Sequence, residues 1–229
     1  MKIIVRVLAG VCVGCAVVSS ARAAQPGPYV KIEVGPTMTD DTTLKDFLGL
    51  TGGQKIEFDP GMRLAIGGGY SFADWIAVGG ETGFSFNYID NISGNFRNED
   101  NSIIGQVPLL ANIIFKIPTK IGLVPFAGAG AGVSFPYLHA DEIVFIEPGV
   151  PPRTTIVDGS ESDVVFAWQL FGGLKYQLDE RMSIGVSYKY LHAESPDFET
   201  EDIFTGFDSE ISIGDLETHA VTFIFSYKF

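Results

Sequence analysis

Within four residues, His192-Ala193-Glu194-Ser195 brings together a hydroxyl, an imidazole and a carboxylate. Those groups perform acyl transfer when the hydroxyl hydrogen-bonds the imidazole and the acid orients the ring. Next to a membrane, that chemistry would be lipid hydrolysis. The competing reading is loop composition, because Ser and Glu are common in exposed segments. No G-x-S-x-G, H-E-x-x-H or Walker A pattern accompanies the triplet, and His139 and His219 stand apart from it. We therefore read the chain as non-enzymatic, with no catalytic residue and no cofactor.

A second group is acidic: Asp197, Glu199, Glu201, Asp202, Asp208 and Glu210. It reads either as a solvated, repulsive surface or as a place where divalent cations bridge. EF-hand spacing is absent, so no metal ligand is assigned. The Gly67-Gly68-Gly69 run does not open a helix and is no nucleotide loop.

The N-terminus carries Lys2 and Arg6, an apolar run over Val7–Val18, and the small-residue triplet Ala21-Arg22-Ala23. This is the pattern of a cleaved secretory signal peptide, residues 1–23. The apolar run falls short of the roughly 20 residues that an anchor helix needs. A lipoprotein acylated at Cys15 is the rival, but Cys12 stands where that motif wants a Leu-like residue. Cys12 and Cys15 are the only cysteines, so residues 24–229 hold no disulfide and no thiolate. Without Lys2, Arg6 and Arg22, 12 basic residues face 28 acids, a net charge of −16. Such a chain repels nucleic acid.

The elements that must position these groups read as strands. Met62, Leu64, Ile66, Tyr70 and Phe72 alternate with Arg63, Ala65, Gly67, Gly69 and Ser71. Successive strand side chains point to opposite faces, so one face is oily and the other small or polar. Eight segments read this way, about 29–36, 61–72, 75–88, 104–117, 123–137, 164–176, 183–191 and 217–229. The faces of 123–137 stay ambiguous, because its Gly128–Gly132 run is small on both. Pro108, which cannot donate to a ladder, is expected at a bulge or rim. Thr43–Leu50 is expected to form a helical turn in the first loop.

Connections alternate long and short, as in an up-and-down membrane barrel with short periplasmic turns and long outer loops. The fold expected is all-β: an eight-stranded antiparallel transmembrane β-barrel over residues 24–229. Aromatic girdles are expected from Tyr29, Trp75, Tyr176 and Tyr227 at the periplasmic ends and Tyr88, Tyr137 and Tyr190 at the outer ends. A soluble barrel or sandwich would put large apolar residues inward, whereas this inward set is mainly Gly, Ser, Thr, Ala, Lys, Arg and Glu.

That register turns Lys31, Glu33, Arg63, Glu81, Lys116, Lys175, Lys189 and Lys228 toward the lumen. They read as structural filling, or as the lining of a narrow, anion-preferring pore. Counted as 37–60, 89–103, 136–163 and 192–217, the four long connections hold 23 of the 28 acids.

Three stretches carry a resemblance: PFAGAGAGVSF (125–135), FAWQLFGGLKYQLDERMSIGVSYKYL (166–191) and THAVTFIFSYKF (218–229). They resemble the small outer-membrane β-barrel superfamily of eight-stranded OmpA/OmpX-like proteins. The chain is expected in outer-membrane lipid of a Gram-negative-type bacterium, with nothing that demands more than a monomer, and its stop at Phe229 leaves no room for the peptidoglycan-binding domain of longer members. The resemblance also implies insertion by the barrel-assembly machinery, which would read Val221, Phe223, Phe225, Tyr227 and Phe229 as its signal. Envelope integrity, adhesion or binding by the acidic loops is the role expected, with no ligand specified. A small pore and a lipid-modifying enzyme built on His192 and Ser195 remain as alternatives.

Overall fold

The computed structural model describes residues 26–47, 52–94, 96–97, 102–147, 153–201 and 208–229. The expected signal peptide lies outside them. The described residues form β1 (Gly27–Thr39), β2 (Thr42–Phe47), β3 (Gln54–Phe58), β4 (Gly61–Ala73), β5 (Ile76–Ile92), β6 (Phe96–Arg97) and β7 (Ile103–Lys116). There follow β8 (Leu123–Glu147), β9 (Arg153–Ser162), β10 (Val165–Gln177), β11 (Met182–Ala193), β12 (Asp197–Glu201), β13 (Asp208–Ile213) and β14 (Leu216–Lys228). Strands β1, β4, β5, β7, β8, β10, β11 and β14 correspond to the eight alternating segments. Each pairs antiparallel with the next, and β14 closes on β1 from Tyr29↔Lys228 to Thr39↔Thr218. The result is a closed eight-stranded barrel, whose wall leaves no strand edge for lipid to meet.

Period-2 alternation sets the two faces. Met62, Leu64 and Ile66 are exposed on the outer wall, while Arg63 and Ala65 are buried inside. In β8 the ambiguity resolves with Phe126 buried in the lumen and Phe135 exposed. A Cβ on Gly128 would sit 2.4 Å from Phe171 Cζ, so this glycine makes room for a lumen ring. Trp75 and Tyr176 are exposed near the end that carries the short turns and Tyr88 near the end that carries the long connections. Tyr29 is not part of the girdle. It shares the inward parity of Lys31 and packs against the buried Phe126–Phe171 group. Pro108 sits at neither bulge nor rim but buried in mid-β7. The register is the same at Thr82↔Leu109 and Ser85↔Gln106, and only the pairs between them are missing, where proline has no N–H to give.

The outer connections depart furthest from expectation. They continue as strands. β3 joins the outer end of β5, β2 joins both β3 and β13, and β12 joins β13. β9 folds back along the outer half of β8. At 25 residues and about 3.3 Å each, β8 is far longer than an apolar band about 25 Å tall requires. Thr42–Phe47 is therefore strand, not helical turn; Leu48–Leu50 lie outside the described residues. Phe47 pairs with Ile211 and Leu44 with Ile213, leaving Lys45 as an extra residue where the register shifts. The shift puts Leu44 and Phe47, three apart, on one buried side.

The inward set is also more apolar than the sequence reading allows. Leu44, Phe47, Ile56, Ile92, Phe198, Ile211 and Leu216 join Ile104, Leu138 and Leu191 in one buried cluster. This core fills the outer end of the barrel and the crown of strands above it.

Candidate functional site

The middle of the lumen is crossed by a belt of charge. Lys31 and Glu33 come from β1, Arg63 from β4, Glu81 from β5 and Lys189 from β11, all almost fully buried. Lys189 Nζ lies 2.6 Å from Glu33 Oε2 and 2.6 Å from Glu81 Oε1. Lys31 Nζ donates to the same two carboxylates at 2.6 and 2.5 Å. Arg63 Nη2 donates to Glu81 Oε1 at 2.8 Å. Phe171 closes one side, with Lys189 Nζ 5.2 Å and Lys31 Nζ 5.7 Å from its ring centre, a distance at which the ring face attracts cations. Inward glycines open the space: a Cβ on Gly67 would lie 2.8 Å from Lys31 Cε.

Around the belt, polar pairs tie the remaining strands. Gln169 Nε2 donates to Asn112 Oδ1 at 2.7 Å, Gln106 Nε2 to Thr218 Oγ1 at 3.0 Å, and Ser187 pairs with Thr222 at 2.8 Å. Three cations face two carboxylates and cross-link β1, β4, β5 and β11, while the buried Nε of Arg63 has no hydrogen-bond partner among the described residues. Lys175 and Lys116 are separate from this belt. Lys175 Nζ donates to Ser226 at 3.0 Å and lies over Phe126, and Lys116 Nζ donates to Ser71 at 2.5 Å. Lys228 is half-buried at the end of β14, on the side of the short turns.

The terminal row faces outward. Val221, Phe223, Phe225 and Phe229 are exposed, and Tyr227 meets Phe229 edge-on with ring centres 5.2 Å apart. The Phe229 N–H donates to Pro28 O at 3.0 Å, and Arg181 Nη1 donates to Tyr227 Oη at 3.2 Å. In the adjoining turn, the N–H groups of Arg181 and Met182 donate to Asp179 and hold its carboxyl below the usual range.

At the outer rim, the sequence triplet does not assemble as a nucleophile. Ser195 Oγ donates to Asp215 Oδ1 at 2.7 Å and accepts from Lys45 Nζ at 2.5 Å. The serine proton therefore points at a carboxylate, and the carboxyl of Asp215 is held low chiefly by that bond. His192 lies instead between Asp215 and Glu217, with closest contacts of 3.9 and 3.7 Å, stacked on Trp168. Glu194 is exposed. General-base attack needs a different acceptor, with the hydroxyl donating to the imidazole. Asp215 and Lys45 were absent from the sequence reading, since Lys45 is 150 residues from Ser195. Among the described residues, no group of three His, Cys, Asp or Glu could hold a metal ion. Asp202, of the acidic cluster, lies outside them.

The family profile described as "Outer membrane protein beta-barrel domain" matches residues 7–229. The chain belongs to this family. No curated protein matches it in sequence. Among solved structures, this outer-membrane barrel is similar to the outer membrane protein OprG from Pseudomonas aeruginosa, with 15% identity, TM-score 0.56, and coverage of 88% of this chain and 96% of that one. It is also similar to Neisserial surface protein A, at 12% identity, TM-score 0.51 and coverage of 89% and 97%. The outer membrane protease OmpT from Escherichia coli gives 10% identity, TM-score 0.52 and coverage of 89% and 97%. At these identities the likeness is one of fold, and the fold hosts unrelated activities.

Proposed function

We propose that this outer-membrane barrel is a closed, non-enzymatic scaffold that presents its strand crown at the cell surface for envelope integrity, adhesion or binding. The observation that supports this reading best is the double obstruction of the lumen. The Lys31–Glu33–Arg63–Glu81–Lys189 belt lies in the middle, and the Leu44–Phe47–Phe198 core lies above it. An ion crossing the barrel would have to part a buried charge network and then an apolar plug, and each carries a large desolvation cost. The crown, by contrast, is built from connections that hold most of the chain's acids. The rim geometry of Ser195 supports the non-enzymatic part, because its proton is committed to Asp215.

On the same reading, residues 1–23 serve as the export signal, and the Val221, Phe223, Phe225, Tyr227 and Phe229 row addresses the barrel to its assembly machinery. The alternative, an anion-preferring pore, draws on Lys116, Lys175 and Lys228 near the periplasmic end. Planar-bilayer recording of the purified, folded barrel decides between them. Silent bilayers are expected. Steady channels of reproducible conductance would overturn the closed-scaffold reading.

A further inference from the structure

The barrel interior does not balance its own charge. Among the described residues of the wall, Lys31, Arg63, Lys116, Lys175 and Lys189 turn inward and meet the carboxylates of Glu33 and Glu81. Even without Lys228 at the mouth, cations outnumber carboxylates by three. Both carboxylates belong to the belt, where Lys31, Arg63 and Lys189 already share them. Lys116 and Lys175 are left on the side of the short turns, with no carboxylate bonded to either.

Their partners are neutral hydroxyls. Lys175 leaves β10 and passes over Gly185 of β11, where a Cβ would come within 3.0 Å of its Cγ, to donate to Ser226 of β14. Lys116 leaves β7, crosses β5 and donates to Ser71 of β4. The two serines flank β1, where Gly27 pairs with Ser71 and Lys31 with Ser226. Both ammonium groups therefore lean toward the same side of the lumen. Lys31, Lys116 and Lys189 are close enough to repel Lys175, and Lys228 repels Lys116. Attraction comes from Glu33 in the belt for Lys175 and from Asp74 in the turn for Lys116, without a hydrogen bond in either case.

Water reaches these groups from one end. The inward residues Tyr29, Val124, Lys175 and Ser183 keep partial exposure. Beyond them Glu33, Glu81 and Lys189 are sealed, and the rings of Phe126 and Phe171 close the inner side. The short-turn half of the lumen is thus a blind, cationic vestibule. A half-buried ammonium without a counter-charge is unfavourable, and it is relieved by losing a proton or by gaining an anion. Each ammonium carries three donors and spends one on its serine. Two such groups suit an anion that accepts several charge-assisted hydrogen bonds at once.

We propose that this vestibule binds a small oxyanion of the phosphate type between Lys116 and Lys175. Ser71 and Ser226 hold the two ammonium groups in place, and the bound anion offsets the surplus charge of the lumen. The inference rests on the closed-scaffold reading, under which the anion enters and leaves by the short-turn end alone.

The test uses the full barrel, folded in a phosphate-free zwitterionic detergent. Inorganic phosphate is titrated in at constant ionic strength against sodium chloride, and backbone amide NMR signals are followed. Saturable shifts are expected around Ser71, Lys116, Lys175 and Ser226, with half-saturation in the millimolar range. K116M/K175M is expected to weaken binding at least about tenfold, as loss of charge-assisted hydrogen bonds to an anion does, while keeping the heat-dependent gel shift of a folded barrel. K116M and K175M alone are each expected to weaken it, and they carry the test if the double variant does not fold. K120M, at an exposed lysine of the neighbouring turn, is expected to change nothing. The proposal is overturned if no saturable shift reaches these residues, if chloride alone gives the same response, or if the folded lysine variants bind as wild type does. Bilayer recording keeps the two readings apart. Steady channels count against the closed scaffold and leave the site standing, whereas silent bilayers without phosphate shifts remove the site alone.

Discussion

Replacing Glu81 by Gln tests the charge belt at its centre. The Glu81 side chain has no solvent exposure, and its two oxygens meet Lys31, Arg63 and Lys189 at 2.5 to 2.8 Å. In the native barrel, three cations face two carboxylates. Glu81→Gln leaves three cations opposite Glu33 alone, in a lumen where water cannot restore the lost charge. Breaking a buried ion network by removing one partner costs about 3–5 kcal/mol. Lys189→Met in addition returns the belt to one excess positive charge. The double variant is therefore expected to recover about 1–3 kcal/mol relative to the sum of the two single changes, as coupled neighbours do. The assay is equilibrium urea unfolding of the barrel in lipid vesicles, followed by tryptophan emission and by gel mobility. Glu81→Gln at less than about 1 kcal/mol would refute the idea that the belt is a desolvated network. A double variant whose loss equals the sum would refute the coupling.

Other expectations follow from the crown, the rim and the terminus. Phe198 has no exposure and lies in the crown core, so Phe198→Ala is expected to cost about 3–5 kcal/mol and to make outer segments protease-sensitive while the membrane wall stays intact. An unchanged digestion pattern would argue against a packed crown. Ser195→Ala removes the main cause holding the Asp215 carboxyl low, so its NMR titration is expected to move up toward the ordinary aspartate range. Because that group is depressed in the fold, its contribution is full above the unfolded value and fades as pH falls through the folded one. The stability gap between wild type and Ser195→Ala should close in acid, and a gap that widens would reverse the sign. Deleting Phe229 is expected to lower the amount of folded barrel in the outer membrane while export continues; normal levels would remove the terminal strand's proposed addressing role.

The wall was legible because it obeys a single period. Met62, Leu64 and Ile66 against Arg63 and Ala65 announce two faces, and the closed wall follows from eight such runs. The crown was not legible, for a physical reason visible in β2. There an extra residue, Lys45, places Leu44 and Phe47 three positions apart on the same side. That spacing imitates a helix turn, so a bulged strand reads as helical. The belt residues could be placed on the inward face by parity, but parity says nothing of partners. Lys189 and Glu81 meet across 108 residues of sequence. The rim differs again: Ser195 stands beside Glu194 and His192 in sequence, yet its bonds go to Asp215 and Lys45, which only strand pairing brings near.

The pairing of β2 with β13 has a consequence for the order of events during folding. One strand belongs to the first outer connection and the other to the last. Their contact waits until the chain has nearly finished, since loop closure over such a separation is slow and unrewarded until the final contacts form. The Leu44–Ile213 and Phe47–Ile211 pairs therefore depend on the register that β14 takes. A one-residue slip of β14 against β1 would turn its inward residues outward and draw Ile211 and Ile213 away from their partners. Such a barrel would be closed in the membrane yet open above it, exposing apolar surface that marks it as unfinished.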